Sequence, residues 1–131
     1  MPTSTLEAIK SEAPTIAEIR SQYGVGDLRK AIVKQLMSLN AYLHFDNPLS
    51  TMEMLDTADI VMQKYYYLKP ADIALVLQRG RTGQYGKMFN RISAQDVIGW
   101  FATYVDERFA EAERDTLNRH AEIKSHLERA K

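Results

Sequence analysis

Asp27-Leu-Arg-Lys-Ala-Ile-Val-Lys-Gln-Leu-Met-Ser-Leu-Asn-Ala-Tyr-Leu43 is the stretch whose reading decides the fold. Leu28, Ile32, Leu36, Leu39 and Leu43 recur at spacings of 4, 4, 3 and 4, which is one face of an amphipathic helix of about five turns. Arg29, Lys30 and Lys34 fall off that stripe, and Asp27 is positioned to cap the helix. Asp46-Asn47-Pro48 ends it, because a proline disfavours helical geometry in the residue before it.

Working outward toward the C-terminus, the signals remain helical. Ser50 and Glu53 form a capping-box pattern. The helix they open is expected to gather Met52, Leu55, Asp59 and Met62 on one face, widened by Ile60, Val61 and Tyr65. Of Tyr65-Tyr66-Tyr67, at most two can be buried, since successive helical residues point about 100° apart. Core and rim packing, or a partner-binding aromatic patch, are the two uses open to them. Pro70 suits the first turn of a further helix and Asp72 its positive end; Ile73, Leu75, Val76 and Leu77 make this the most buried helix expected. Arg79-Gly-Arg-Thr-Gly-Gln-Tyr-Gly-Lys87, with glycines three apart, reads as a loop. Ser93 and Asp96 open the last helix, which Gly99 weakens without stopping, and Val97, Trp100, Phe101, Tyr104 and Val105 face its core side. Beyond Phe109, Ala112, Leu117, Ile123 and Leu127 are thinly spread among charges, as in a projecting helix, a weak coiled-coil seam or a frayed tail.

Working outward toward the N-terminus, the pattern is weaker. Leu6, Ile9 and Ala13 line one short helix, interrupted by Pro14; Ile16 and Ile19 line a second, stopped by Gly24 and Gly26. Helices this short need docking to persist. The expected architecture is all-α: a compact bundle of about four helices with a glycine-rich basic loop and a long charged C-terminal helix. Its organisation is an N-terminal arm (1–26), a helical core domain (27–110) and a charged C-terminal extension (111–131).

Composition bounds the function. The 131 residues carry 17 Lys+Arg and 17 Asp+Glu, are 45% hydrophobic and contain no Cys. Dominant disorder, a uniformly basic nucleic-acid coat, disulfide scaffolds and thiolate chemistry are therefore excluded. No run reaches the length of a membrane span and no signal peptide is legible, so a cytoplasmic protein, or one carried in a phage particle in a bacterial host, is expected. The neutral total is a cancellation. Residues 73–95 hold Arg79, Arg81, Lys87 and Arg91 with no acid, so the remaining residues sum to −4, from 13 basic and 17 acidic side chains.

That acid-free segment is the candidate site. Arg79, Arg81, Lys87 and Arg91 can contact phosphates, Tyr85 can stack on a base with Phe89 interleaved, and glycines permit close backbone approach. Contact with nucleic acid or an acidic partner is the expectation, and binding to DNA or RNA should be salt-sensitive and reduced by Arg79→Ala with Arg81→Ala. The same residues also suit a purely structural loop, with Gly83 and Gly86 at positive φ, the aromatics packed beneath and the arginines at a helix C-terminus. The glycine spacing lacks the Gly-Lys-Ser/Thr ending of a P-loop. His44, His120 and His126 share no ligand geometry, and no nucleophile arrangement is legible. Neither enzyme activity, metal nor cofactor is expected. The second functional class is an assembly or adaptor protein, with a protein partner or homo-oligomer formed through residues 105–131.

Three stretches carry a family likeness: Tyr65-Tyr-Tyr-Leu-Lys-Pro-Ala-Asp72; Gly83-Gln-Tyr-Gly-Lys-Met-Phe-Asn-Arg-Ile92; and Trp100-Phe-Ala-Thr-Tyr104 with Asp106-Glu-Arg108. Together they resemble small uncharacterised helical proteins of phages and mobile elements of Bacteroidetes-type bacteria, over about residues 55–113. The resemblance implies a replication, recombination or virion-accessory role and brings no catalytic residues with it.

Overall fold

The computed structural model describes residues 4–130; the first three residues of the expected N-terminal arm and the last residue of the expected extension lie outside them. Six helices follow in order: α1 (Thr5–Lys10), α2 (Ile16–Tyr23), α3 (Val25–Leu43), α4 (Thr51–Lys64), α5 (Pro70–Arg81) and α6 (Ala94–Arg129). The all-α expectation holds. The count is six among the described residues, not about four, because both short N-terminal helices form and dock.

Docking explains their persistence. The backbone N–H groups of Ile16 and Ala17, left over at the start of α2, donate to the carbonyls of Leu68 (2.7 Å) and Tyr66 (2.9 Å) in the α4–α5 turn. Thr15 and Glu18 complete a capping box there. The Lys69 ammonium donates to the carbonyls of Ile9 (2.9 Å) and Ser11 at the end of α1. Ala8 and Ile16 thereby enter the same core as the Leu stripe of α3.

Around α3 the core is close to the one the periodicity implies. Leu28, Ile32, Leu36 and Leu39 are buried and Leu43 is half-buried. The helix start differs. Gly24, at φ 89°, is shared between the end of α2 and the start of α3, so Asp27 stands in the first turn and not at the cap. Its carboxylate still faces the positive helix end. In α4 the buried set is Met54, Thr57, Ala58, Val61 and Met62, while Met52 and Ile60 are exposed. The buried face is rotated from the expected one, because α4 carries apolar residues on more than one face and the packing selects Met54 over Met52. The Ser50–Glu53 capping box is present. Glu53 also accepts from the Ala94 N–H at 2.8 Å, so one carboxylate ties the starts of α4 and α6.

Between α5 and α6 lies one buried acid. Asp72 is 0% exposed. It accepts the Lys69 N–H (2.8 Å), the Tyr104 hydroxyl and the Arg108 Nε (3.2 Å), pinning the start of α5 to the middle of α6. Burying a carboxylate is tolerable only with such partners. Tyr65 stacks on Phe101 with centroids 5.3 Å apart, whereas Tyr66 and Tyr67 remain exposed.

Candidate nucleic-acid interface

The expected loop begins later than its glycines suggest. Arg79, Gly80 and Arg81 belong to α5. Gly80 is tolerated inside the helix because α5 there lies flush on α6: a Cβ at this position would overlap the Trp100 indole. The helix then stops through a Schellman arrangement. Gly83 at φ 89° donates to the Gly80 carbonyl (3.2 Å), and Gln84 donates to the Arg79 carbonyl (3.0 Å). The Thr82 hydroxyl caps the Gln78 carbonyl at 2.9 Å.

The loop returns along the α3–α4 connection. Asn90, at φ 59°, accepts from the Asp46 N–H (2.9 Å) through its side-chain oxygen and donates its amide to the Asp46 carboxylate (2.7 Å). The Ile92 N–H reaches the Asn47 carbonyl at 3.0 Å, an isolated parallel bridge between Asn47 and Arg91. Ser93 and Asp96 then form the capping box that starts α6. Both ends of the loop are therefore fixed.

Its five expected site residues separate into two groups. Arg79 turns inward: its side chain is 21% exposed, it donates to Glu107 Oε2 at 2.8 Å, and its guanidinium lies 5.4 Å from the Tyr104 ring centroid. The Tyr85 hydroxyl donates to the same Glu107 oxygen at 2.9 Å. Burial, together with hydrogen bonding to the Glu107 carboxylate, pushes the Tyr85 hydroxyl up to about 12. Arg79 and Tyr85 staple the loop to α6.

Arg81, Lys87 and Arg91 are exposed. None of the three is ion-paired among the described residues. Arg81 lies over the Tyr42 ring of α3, 4.3 Å from its centroid, a cation–π contact. Arg81, Lys87 and Phe89 line one shallow depression with Phe45, and Lys87, Phe89 and Arg91 line the adjoining one. Phe89, shared by both, is 81% exposed. Two acids border this rim, Asp46 and Asp96, and both are engaged, with Asn90 and Ser93 respectively.

Phe89 was named in the sequence only as interleaved with the cations, and Tyr42 and Glu107 were not foreseen at the site. The pairing of Glu107 with Arg79 spans 28 positions, so no local spacing reports it. Such a rim can hold phosphate oxygens and offer an aromatic face to a base. Among the described residues no three His, Asp or Glu side chains stand where they could hold a metal ion, and no helix is long and apolar enough to cross a membrane. The class that fold and rim define is an all-α bundle with an exposed basic and aromatic edge. Compared with protein-family models, curated proteins and solved structures, the chain matches none.

Proposed function

We propose that this is a non-enzymatic accessory protein that binds single-stranded nucleic acid along the rim formed by Arg81, Lys87 and Arg91 around Phe89. The observation that carries the reading is Phe89, held 81% exposed between three cations without ion pairs. This ring is the most exposed large apolar side chain among the described residues, and an unpaired base is the cover that three neighbouring cations favour. Duplex DNA keeps its bases stacked and offers the ring nothing. In this reading Arg79 and Tyr85 act by positioning the loop. The likeness over residues 55–113 supports a place in replication, recombination or virion assembly of a phage or mobile element.

The test is fluorescence anisotropy with labelled thymidine and uridine oligonucleotides and a duplex of equal length, at low salt. Single strands are expected to bind more tightly than the duplex. Phe89→Ala is expected to weaken single-strand binding by roughly 5- to 150-fold, the range for losing one base–aromatic stack. Equal affinity for strand and duplex, with no effect of Phe89→Ala, would remove the stacking role.

A further inference from the structure

We infer that the recess between α3 and α5 is a second base site for the same strand, and that the base it takes is adenine; the inference rests on the single-strand reading of the rim. The recess has a volume of about 300 Å³, at the small end of ligand pockets and suited to one nucleobase. Leu39 and Leu77 supply its apolar surface, and Gln35, Ser38 and Gln78 its polar side chains. Arg81 completes the lining.

Arg81 joins the recess to the rim. The same side chain lines the depression that Phe89 shares, so the two hollows adjoin at one exposed guanidinium. In a single strand one phosphate links each pair of successive nucleosides. With that phosphate on Arg81, one base covers Phe89 and its neighbour enters the recess. No acid lines the recess to repel the strand.

The side chains of the recess select the base. A glutamine amide presents one acceptor beside its donors, the pattern that matches N6 and N7 of adenine. Guanine is read best by Arg or Lys and cytosine by Asp or Glu. Here the polar groups are two glutamines and a serine, with the single cation shared with the phosphate. Neither amide is committed to holding α3 to α5. The side chains of Gln35 and Gln78 make no hydrogen bond to another described residue, and Gln35 Oε1 is buried without a partner, which is rare in a folded chain. Ser38 Oγ donates to the Lys34 carbonyl at 3.2 Å, which leaves its lone pairs to accept.

Fluorescence anisotropy with a labelled thymidine oligonucleotide, and with the same oligonucleotide carrying one central adenosine, tests the assignment. The adenosine strand is expected to bind at least about fivefold more tightly, the lower end for one bidentate base contact. Gln35→Leu and Gln78→Leu are each expected to abolish that preference and to leave the affinity of the all-thymidine strand nearly unchanged. Gln78 is exposed, so its variant keeps the test open whatever Gln35→Leu does to folding. Phe89→Ala is expected to weaken both strands alike and preserve their ratio. Equal affinity of the two strands for the wild-type chain would overturn the adenine site and leave the stacking role of Phe89 standing. A preference that survives both glutamine variants would also overturn it, because the preference would then come from adenine stacking on Phe89. Failure of every strand to bind would remove the rim and the recess together.

Discussion

Arg79 and Arg81 are two residues apart on the last turn of α5, yet one guanidinium lies against Tyr104 and Glu107 of α6 and the other over Tyr42 of α3. Positions two apart on a helix point roughly 200° away from each other, so a helix cannot aim both at one surface. An extended loop would aim both to the same side. The difference between the readings is thus a matter of three residues of backbone, and Gly80 under Trp100 decides it. The inward side of the α5–loop–α6 corner is built from Asp72, Arg79, Tyr85 and Glu107 around Tyr104. The outward side is Arg81, Lys87, Phe89 and Arg91. Inward substitutions should change stability and outward ones binding.

The largest expected effect lies deepest on the inward side. Asp72→Ala leaves the Arg108 charge and the Tyr104 hydroxyl without their partner and should cost about 3–5 kcal/mol. The check is the midpoint of urea unfolding at unchanged slope. A loss under ~1 kcal/mol would mean that water replaces the carboxylate and that the corner is not tied there.

Next is Gly80→Ala. The added methyl must displace Trp100 or the helix, for about 1–3 kcal/mol by overpacking. On an exposed helix the same substitution would stabilise by about 1 kcal/mol. The sign of the change therefore decides whether residues 79–81 pack as helix or wander as loop.

Glu107→Gln should cost less, about 0.5–1 kcal/mol, since the carboxylate is 42% exposed and its pair with Arg79 is partly screened. It should leave the affinity of oligonucleotides nearly unchanged. Loss of binding without loss of stability would move Arg79 to the outward side.

A further effect, absent at neutral pH, is in alkali. Burial raises the hydroxyls of Tyr85, Tyr104 and Tyr67 above the ordinary value of 10.0. The unfolded chain gives up these protons first. Stability should then be fully present below pH 10 and fall as pH rises toward 12, with a shallower fall in Tyr85→Phe. Thermal midpoints across that window measure it, and a flat profile would deny the inward position of Tyr85.

What the sequence discloses follows the range of the interaction. The Ser50–Glu53 and Ser93–Asp96 boxes and the Leu28-to-Leu43 stripe are legible because each is settled within a few residues. The Thr15–Glu18 box of α2 carries the same local signal. Met52 was misplaced because α4 offers apolar residues on more than one face, and tertiary contact chose Met54. At the site, the charges of Arg81, Lys87 and Arg91 were legible as an acid-free run. Their separation from Arg79 was not, since it depends on Trp100, 20 residues beyond Gly80, and Glu107, 28 residues beyond Arg79. Exposure of Phe89 is likewise a property of the closed loop and leaves no local trace.

The most direct test of the outward rim is the salt dependence of binding to a thymidine oligonucleotide. Three phosphate contacts per chain predict a slope of log K against log salt of about −2, and a triple variant Arg81→Ala, Lys87→Ala, Arg91→Ala should bring it near zero. Arg79→Ala should leave the slope unchanged. A wild-type slope near zero, or a slope lost with Arg79→Ala and kept in the triple variant, would contradict the assignment of the rim.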